Sequence, residues 1–463
     1  MKPRFPLFTL LLALFPVPVF SNTLYFPQVA FGGGYSTTFA VVNTGATAVS
    51  GRLNLYSQGG TLRSDLGGQI FIAPRNSTRL TIPNIGPLTA VWGEFDAGTG
   101  TVQGVATFDS RDTSGRLVTS AGVLGIEADN EFLVPVDVVS GKASTGVAVA
   151  NISNNDLSIE MRLFGENGTM VASNLSFPIA AHAQVADFVP NIITQILGID
   201  SFRGTLVIRL LAFTPSLAVT ALTIKEGLLS AIPVATGTSG GAITLEFPQV
   251  VFGGGYSTTL TIMNAGAGLL QTNLRCFTQD GMERTDLAAT ISARGSGSTR
   301  STLPNVGALT VVSCELIATT GTFQGVATFD LRAPNQVLVT TAGVLGIQPG
   351  NSFSVPVETT PTGGTGVAVA NLKDASLNFT LRLLNENGAL VAIATAPRFT
   401  SFVPRAQFAD FVTNIFPQLA GITFRGSLVI DAAAGVPAGS LATTALTVKE
   451  GVLSALPVIP GTL

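Results

Sequence analysis

Charge is scarce in this 463-residue sequence. Only 11% of its residues are Asp, Glu, Lys or Arg, against about a quarter in an ordinary soluble protein. The balance is close to neutral, 24 basic against 27 acidic residues, with no basic stripe to neutralise phosphates, which excludes a nucleic-acid partner. One His and two Cys do not make the four-ligand set of a zinc site, and no motif implies a cofactor. One Trp and four Tyr are too few for the aromatic girdles of an outer-membrane barrel, and they leave little for sugar-stacking platforms. Beyond the N-terminus, Gly, Asn, Asp or Arg interrupts each hydrophobic run, so no membrane-spanning helix is expected. What is abundant is apolar: 46% hydrophobic residues, 51 Gly and a mean hydropathy of +0.48. A disordered chain shows the opposite balance, and this length calls for several packed units.

The first segment reads as an address. Lys2 and Arg4 precede an apolar stretch from Leu7 to Phe20, broken by Pro16 and Pro18. Val19 and Ser21 occupy positions −3 and −1 of a cleavage site before Asn22. This is the layout of a secretory signal peptide over residues 1–21, and no acylated Cys follows it. The expected location is extracellular or at the cell surface, with the periplasm also permitted, and with no membrane span left after cleavage.

The remainder repeats itself. Leu24-Tyr25-Phe26-Pro27-Gln28-Val29 through Thr38 returns as Leu245-Glu246-Phe247-Pro248-Gln249-Val250 through Thr259, an offset of 221 residues. Removing 21 residues leaves 442, twice that offset. A fainter inner repeat spaces Asn43 from Asn151 and Asn264 from Asn371, about the length of one immunoglobulin-like domain. The apolar period is two, as at Leu53 and Leu55 or Ile159, Met161 and Leu163, which is the strand signature. Turn signals divide the strands at Gln58-Gly59-Gly60, Asn167-Gly168, Asp280-Gly281 and Asn387-Gly388. Only 190–197 and 414–419 read as helix. The expected fold is all-β: tandem immunoglobulin-like β-sandwiches, four in two duplicated pairs, with one short helix in each second sandwich. The expected domains are 22–131, 132–238, 239–352 and 353–463.

The Phe-Pro-Gln start, the Gly-Gly-Gly-x-x-Thr-Thr turn into a strand ending in Asn, Gln184–Val189 and Phe202-Arg203-Gly204 together resemble a repeat of secreted bacterial proteins. The resemblance covers essentially the whole chain after residue 21. It implies paired immunoglobulin-like modules, secretion, and a binding or structural role, and it brings no catalytic residues. The Asn-Pro usual after the first strand of that repeat is here Asn43-Thr44 and Asn264-Ala265, which bears on the turn type.

Each candidate site has a structural reading beside it. Gly32-Gly33-Gly34 and Gly253-Gly254-Gly255 lead into Thr-rich strands without the Lys-Ser/Thr and helix of a phosphate loop, so a bulge or a close backbone approach is expected. His182, the only histidine, aligns with Arg405 and reads as a polar loop residue. Ten charged positions recur between the halves: Arg63/Arg284, Asp65/Asp286, Glu94/Glu315, Asp109/Asp330, Arg162/Arg382, Glu166/Glu386, Asp187/Asp410, Arg203/Arg425, Lys225/Lys449 and Glu226/Glu450. A glycosidase would need two of the carboxylates held together; structural ion pairs are the expected use. Asp187 and Asp410 precede the helical segments, where a carboxylate can cap an N-terminus, and Arg203 and Arg425 follow within reach of them. Calcium held by loop carboxylates is left open, without an EF-hand ladder. Cys276 and Cys314 share core-facing positions of one sandwich, and secretion favours a disulfide between them.

The expected role is non-enzymatic: a cell-surface or extracellular-matrix protein that adheres, spaces or self-assembles, its partners being copies of itself or other envelope and matrix polymers. The alternative is a carbohydrate-binding array, in which Tyr35 and Tyr256, the only repeated Tyr pair, contact the glycan.

Overall fold

The computed structural model describes residues 22–232, 234–237, 242–394, 399, 401–456 and 458–460. The expected signal peptide and the expected boundary at 238/239 lie outside the described residues.

The fold is all-β, with two short α-helices among the described residues. Alternating burial explains the strands. In Val49–Ser57, Val49, Leu53 and Leu55 are buried while Ser50 and Arg52 are exposed. The first eight strands are β1 (Thr23–Phe31), β2 (Tyr35–Asn43), β3 (Val49–Ser57), β4 (Gly68–Ile72), β5 (Ser77–Ile82), β6 (Thr89–Asp96), β7 (Val102–Arg111) and β8 (Leu117–Leu124). They pair in two four-stranded antiparallel sheets, β1-β6-β3-β4 and β5-β2-β7-β8. Phe26, Leu53 and Phe95 of the first sheet meet Phe39, Phe108 and Val123 of the second in one core. Phe26 and Phe39 meet edge to face there, 5.1 Å between centroids.

The same pairing order, first-sixth-third-fourth and fifth-second-seventh-eighth, returns in the strands of 131–232, 244–345 and 352–456. Each group has its own core, and the four are here called units 1 to 4. In unit 3, Cys276 and Cys314 lie directly opposite on neighbouring strands, face the core, and are joined in a disulfide. Leu55 and Gly93 oppose each other at the same place in unit 1. The segments expected as single helices are each two short turns: Val189–Ile192 then Thr194–Ile196, and Val412–Ile415 then Pro417–Leu419. Between the turns, Ile193 and Phe416 leave helical angles and drop into the cores of units 2 and 4.

Each second strand ends in a buried asparagine: Asn43, Asn151, Asn264 or Asn371. All four side chains do the same work. The amide Nδ2 donates to a carbonyl four residues on (Thr47, Asn155, Gly268, Ala375), at 2.7–3.0 Å. It also donates to a carbonyl at the end of the fourth strand or just beyond in units 1 to 3, Ala73, Ala180 and Ala293, and in unit 4 to Val403, ahead of the strand Gln407–Phe411. Oδ1 accepts the N–H two residues on, at Gly45, Ser153, Gly266 and Lys373. The residue between, Thr44 or Ala265, is not bonded to the amide. The Thr44 and Ala265 N–H groups donate instead to the Thr101 and Thr322 carbonyls, both at 3.0 Å.

The loop held by each asparagine receives the third-to-fourth-strand turn of the preceding unit. Gln58 accepts from the Gln184 N–H at 2.9 Å, and Gln279 from the Gln407 N–H at 3.2 Å. These turns need glycine: with φ near +86°, a Cβ on Gly60 would lie 2.5 Å from the Ala181 carbonyl oxygen, and one on Gly281 2.0 Å from that of Pro404. The turn of unit 2 meets Arg294 of unit 3 through Gly168, and the turn of unit 4 returns to unit 1, where Asn76 donates to the Glu386 carbonyl. The chain therefore closes into a ring. At its centre the eighth strands Leu117–Leu124, Leu228–Ile232, Leu338–Leu345 and Val452–Leu456 each touch two others. Val123, Ile232, Val344 and Leu456 line a cavity of about 180 Å³ there, one from each unit.

Replacing Asn151 by Asp sets a carboxylate, which cannot donate, against the Asn155, Ile179 and Ala180 carbonyls that the amide serves. We expect Asn151→Asp to cost about 2–4 kcal/mol in urea denaturation, while Asn167→Asp in an exposed turn stays within about 0.5 kcal/mol of the parent. Equal stability of the two variants would refute the locking role.

Candidate functional site

Most of the recurring charges are spent between or within units. Lys225 pairs with Asp330 across the seam of units 2 and 3, and Lys449 with Asp109, at 3.3 Å, across the seam of units 4 and 1. Glu226–Arg332 at 2.6 Å is matched by Glu450–Arg111 at 2.9 Å. Glu166–Arg300 at 2.7 Å is matched by Glu386–Arg79 at 3.8 Å. Both arginines also donate to a neighbour's backbone, Arg300 to Val136 at 2.9 Å and Arg79 to Val357 at 3.0 Å. Arg63–Asp65 and Arg284–Asp286 are exposed pairs within one loop, and Arg162 and Arg382 are paired with Glu160 and Asp431.

The partners expected for Arg203 and Arg425 are corrected by the structure. Each stands directly opposite a carboxylate on the adjoining strand and pairs with it at 3.2 Å: Arg203 with Asp137 and Arg425 with Glu358. Cross-strand neighbours outcompete the more distant Asp187 and Asp410. Those two carboxylates also do not supply the N-cap, which is Phe188 or Phe411. Asp187 accepts from the Phe188 N–H and Asn191 Nδ2, both at 2.7 Å, and Asp410 accepts from Phe411 and Asn414 in the same way.

The seams of units 1 and 2 and of units 3 and 4 are built differently. Each contains an apolar cleft, about 370 Å³ in the first and about 340 Å³ in the second. Matching side chains line them: Tyr35/Tyr256, Leu88/Leu309, Phe108/Phe329, Phe188/Phe411, Leu222/Leu446 and Ile224/Val448. Thus both tyrosines expected at a ligand lie in matching clefts, and Asp187 and Asp410 lie there too. The rest of the lining was not picked out from sequence. Its only signal is recurrence between the halves, which core residues share. Burial raises the Tyr256 hydroxyl above its ordinary range.

The triple glycines shape the mouths of these clefts. Their positive φ values, 74°, 57° and 102° in the first copy, bring the chain against the loop at 86–88. A Cβ on Gly32 would lie 2.2 Å from the Pro87 carbonyl oxygen. Gly34 donates to Asn84 Oδ1 at 2.9 Å, and Gly255 donates to Asn305 Oδ1 at 2.8 Å. The result leaves Leu88 and Leu309 exposed at the lip.

Beside the clefts the two halves diverge. In the first, Tyr56 stacks on Trp92 (4.4 Å between centroids) and on His182 (5.4 Å), and Trp92 Nε1 donates to the His182 carbonyl at 2.7 Å. The only His and the only Trp are therefore packing partners in one seam. In the second half, the Arg275 and Arg405 guanidinium groups lie over Phe277, and both donate to Glu315, at 2.8 and 3.0 Å. Glu246 stands directly opposite Glu315, as Tyr25 stands opposite Glu94. Burial first, then nearby negative charge, pushes Tyr25 up to about 12 and Glu246 up to about 8, the latter opposed by Arg405 and Lys373. Among the described residues no group of three or more potential metal ligands converges.

Comparison with known proteins finds no match, either among family models or among curated sequences.

Glu246 sets a pH dependence whose sign is defined. Its folded value of about 8 lies above its ordinary value of 4.5, so its contribution to stability is fully present below about 4.5 and is lost as pH rises through about 8. The melting temperature is expected to fall between pH 6 and 9, and Glu246→Gln, neutral throughout, to flatten that fall. An unchanged profile in the variant would assign the loss to other groups.

Proposed function

We propose that this chain is a secreted, non-enzymatic protein of the cell surface or extracellular matrix with a structural, adhesive or self-assembling role. Its body is four immunoglobulin-like sandwiches in two duplicated pairs, with domains at 22–131, 132–238, 239–352 and 353–463. The observation that carries the reading is the fate of the repeated features. The turns, the asparagines and most of the recurring charges meet at unit-to-unit contacts or inside units, as expected of a scaffold held rigid. The shared strand order supports the sandwich assignment, and the second and fourth strand groups begin at Glu131 and Ser352, one residue ahead of the proposed starts. The β2–β5 and β3–β6 pairs agree with the B–E and C–F pairs of the immunoglobulin fold, while β1 and β7 attach to the opposite sheets from those expected of A and G.

Unpaired strand edges supply a means of association. Strands Met170–Ile179 and Leu390–Ala394 each pair with one neighbour among the described residues. They expose Met170, Val171 and Leu175, and Leu390, Val391 and Ile393. Such edges accept an added strand. The alternative, a carbohydrate-binding array, draws on Tyr35 and Tyr256 lining the clefts, although the walls around them offer few partners for sugar hydroxyls.

Negative-stain electron microscopy of the chain from Asn22 onward, across a concentration series, tests the reading. Filaments or ordered oligomers are expected, and Val391→Lys with Ile393→Lys is expected to abolish them. Isolated particles at every concentration would sink self-assembly, and glycan binding lost on replacing Tyr35 and Tyr256 by Ala would install the alternative.

A further inference from the structure

We infer that the two halves of the ring are interchangeable, so that the faces joining unit 2 to unit 3 and unit 4 to unit 1 also accept a second copy of this chain. These faces are separate from the exposed strand edges, and the inference does not rest on association through those edges.

The two seams between halves are one interface made twice. Unit 2 brings Glu166, Lys225 and Glu226 to unit 3, and unit 4 brings Glu386, Lys449 and Glu450 to unit 1. Each set is answered by the same residue types in the same order, Arg, Asp and Arg. The backbones agree as well. Glu226 and Glu450 both take left-handed angles, with φ of 49° and 50°. Both accept from the N–H that opens an eighth strand, Leu338 in one seam and Leu117 in the other. Arg300 and Arg79 reach equivalent carbonyls, Val136 and Val357.

Docking at this interface does not depend on the peptide link. Units 2 and 3 are consecutive in the chain and units 4 and 1 are not, yet the unlinked seam is the better bonded where it is buried. Ser77 donates to the Gly426 carbonyl and accepts from Ser427 Oγ, both at 3.0 Å. At the linked seam Ser298 and Thr205 hold those places, buried and without a hydrogen-bond partner among the described residues. The seams inside each half behave differently: Tyr56, Trp92 and His182 of the first are Phe277, Ser313 and Arg405 in the second. Discrimination between two partners needs a difference in contacts, and the charges between halves offer none. Each half carries one face of each kind. Two first halves, or two second halves, are therefore as complementary as one of each, and such a pair closes at two.

Native mass spectrometry of the full chain, cut in place between its halves, tests the inference. The chain carries Val391→Lys and Ile393→Lys, so that strand edges play no part, and a protease site inserted between Gly237 and Ala242. After cleavage the halves are expected to stay together as one ring. Passed through urea and back, they are expected to return as three rings, first with first, first with second and second with second, in roughly the 1:2:1 proportion of random pairing. A first half carrying Asp109→Lys, Arg111→Glu, Lys225→Asp and Glu226→Arg is repelled by the native second half at both seams but suits a copy of itself. On cleavage without urea its mixed ring is expected to fall about tenfold or more, with like-with-like rings in its place. Adding Asp330→Lys, Arg332→Glu, Lys449→Asp and Glu450→Arg in the second half is expected to bring the mixed ring back, which also shows that the reversed halves fold. Return of the mixed ring alone after urea would overturn the inference. So would reversed and native halves that stay single while the doubly reversed chain forms rings.

Discussion

The molecule depends on a buried amide. A strand that ends inside a core leaves carbonyls of the adjoining loop without donors, and the Asn side chain is compact enough to supply two N–H groups and still accept one bond. Asn43, Asn151, Asn264 and Asn371 do this in all four units. The loops they fix are the platforms on which the turns of neighbouring units dock. An interaction inside one unit therefore sets the geometry between units. Ring closure follows from repeating one docking step until the fourth unit meets the first.

Different forces then finish the seams. Pairs at the surface within one loop, such as Arg63–Asp65, are screened by solvent and add little. Arg79 and Arg300 are another matter, with only 7% and 12% of their side chains exposed. Burial lowers the Arg79 pKa, against the opposing pull of Glu358 and Glu386. An arginine so buried is expensive unless its donors are used, and the backbone carbonyl it reaches is part of what holds it charged. The seam between units 4 and 1 needs such contacts, because no peptide link joins those two units directly.

The seams holding the clefts carry their specific contacts to one side. One half uses a stack of Tyr56, Trp92 and His182; the other uses Arg275 and Arg405 around Phe277 and Glu315. Both solutions bridge two units with flat groups, so the clefts beside them keep matching walls while the bridges change chemistry. The disulfide of unit 3 lies on the strands that carry this second bridge: Arg275 and Phe277 flank Cys276, and Glu315 follows Cys314.

Much of the fold was legible in the sequence because its causes are local. Period-two burial, Gly-containing turns, the recurring asparagines and the offset of 221 residues each reflect backbone geometry that one strand or turn imposes on its own residues. The same holds for the triple glycines, whose positive φ angles no other residue tolerates in series. Tyr35 and Tyr256 were visible as a repeated pair, but the far walls of the clefts around them come from the next unit, on strands more than about a hundred residues away. Arg203 and Arg425 were visible as retained charges, but cross-strand register decided their partners. The sequence by itself determined which residues form strands, where the chain turns, and that the pattern is repeated. Only the tertiary structure decided that the repeats close into a ring, and which seams are ionic and which are apolar. Those outcomes depend on the faces that two separately folded units present to each other, and a periodic pattern within one strand carries no record of its neighbour.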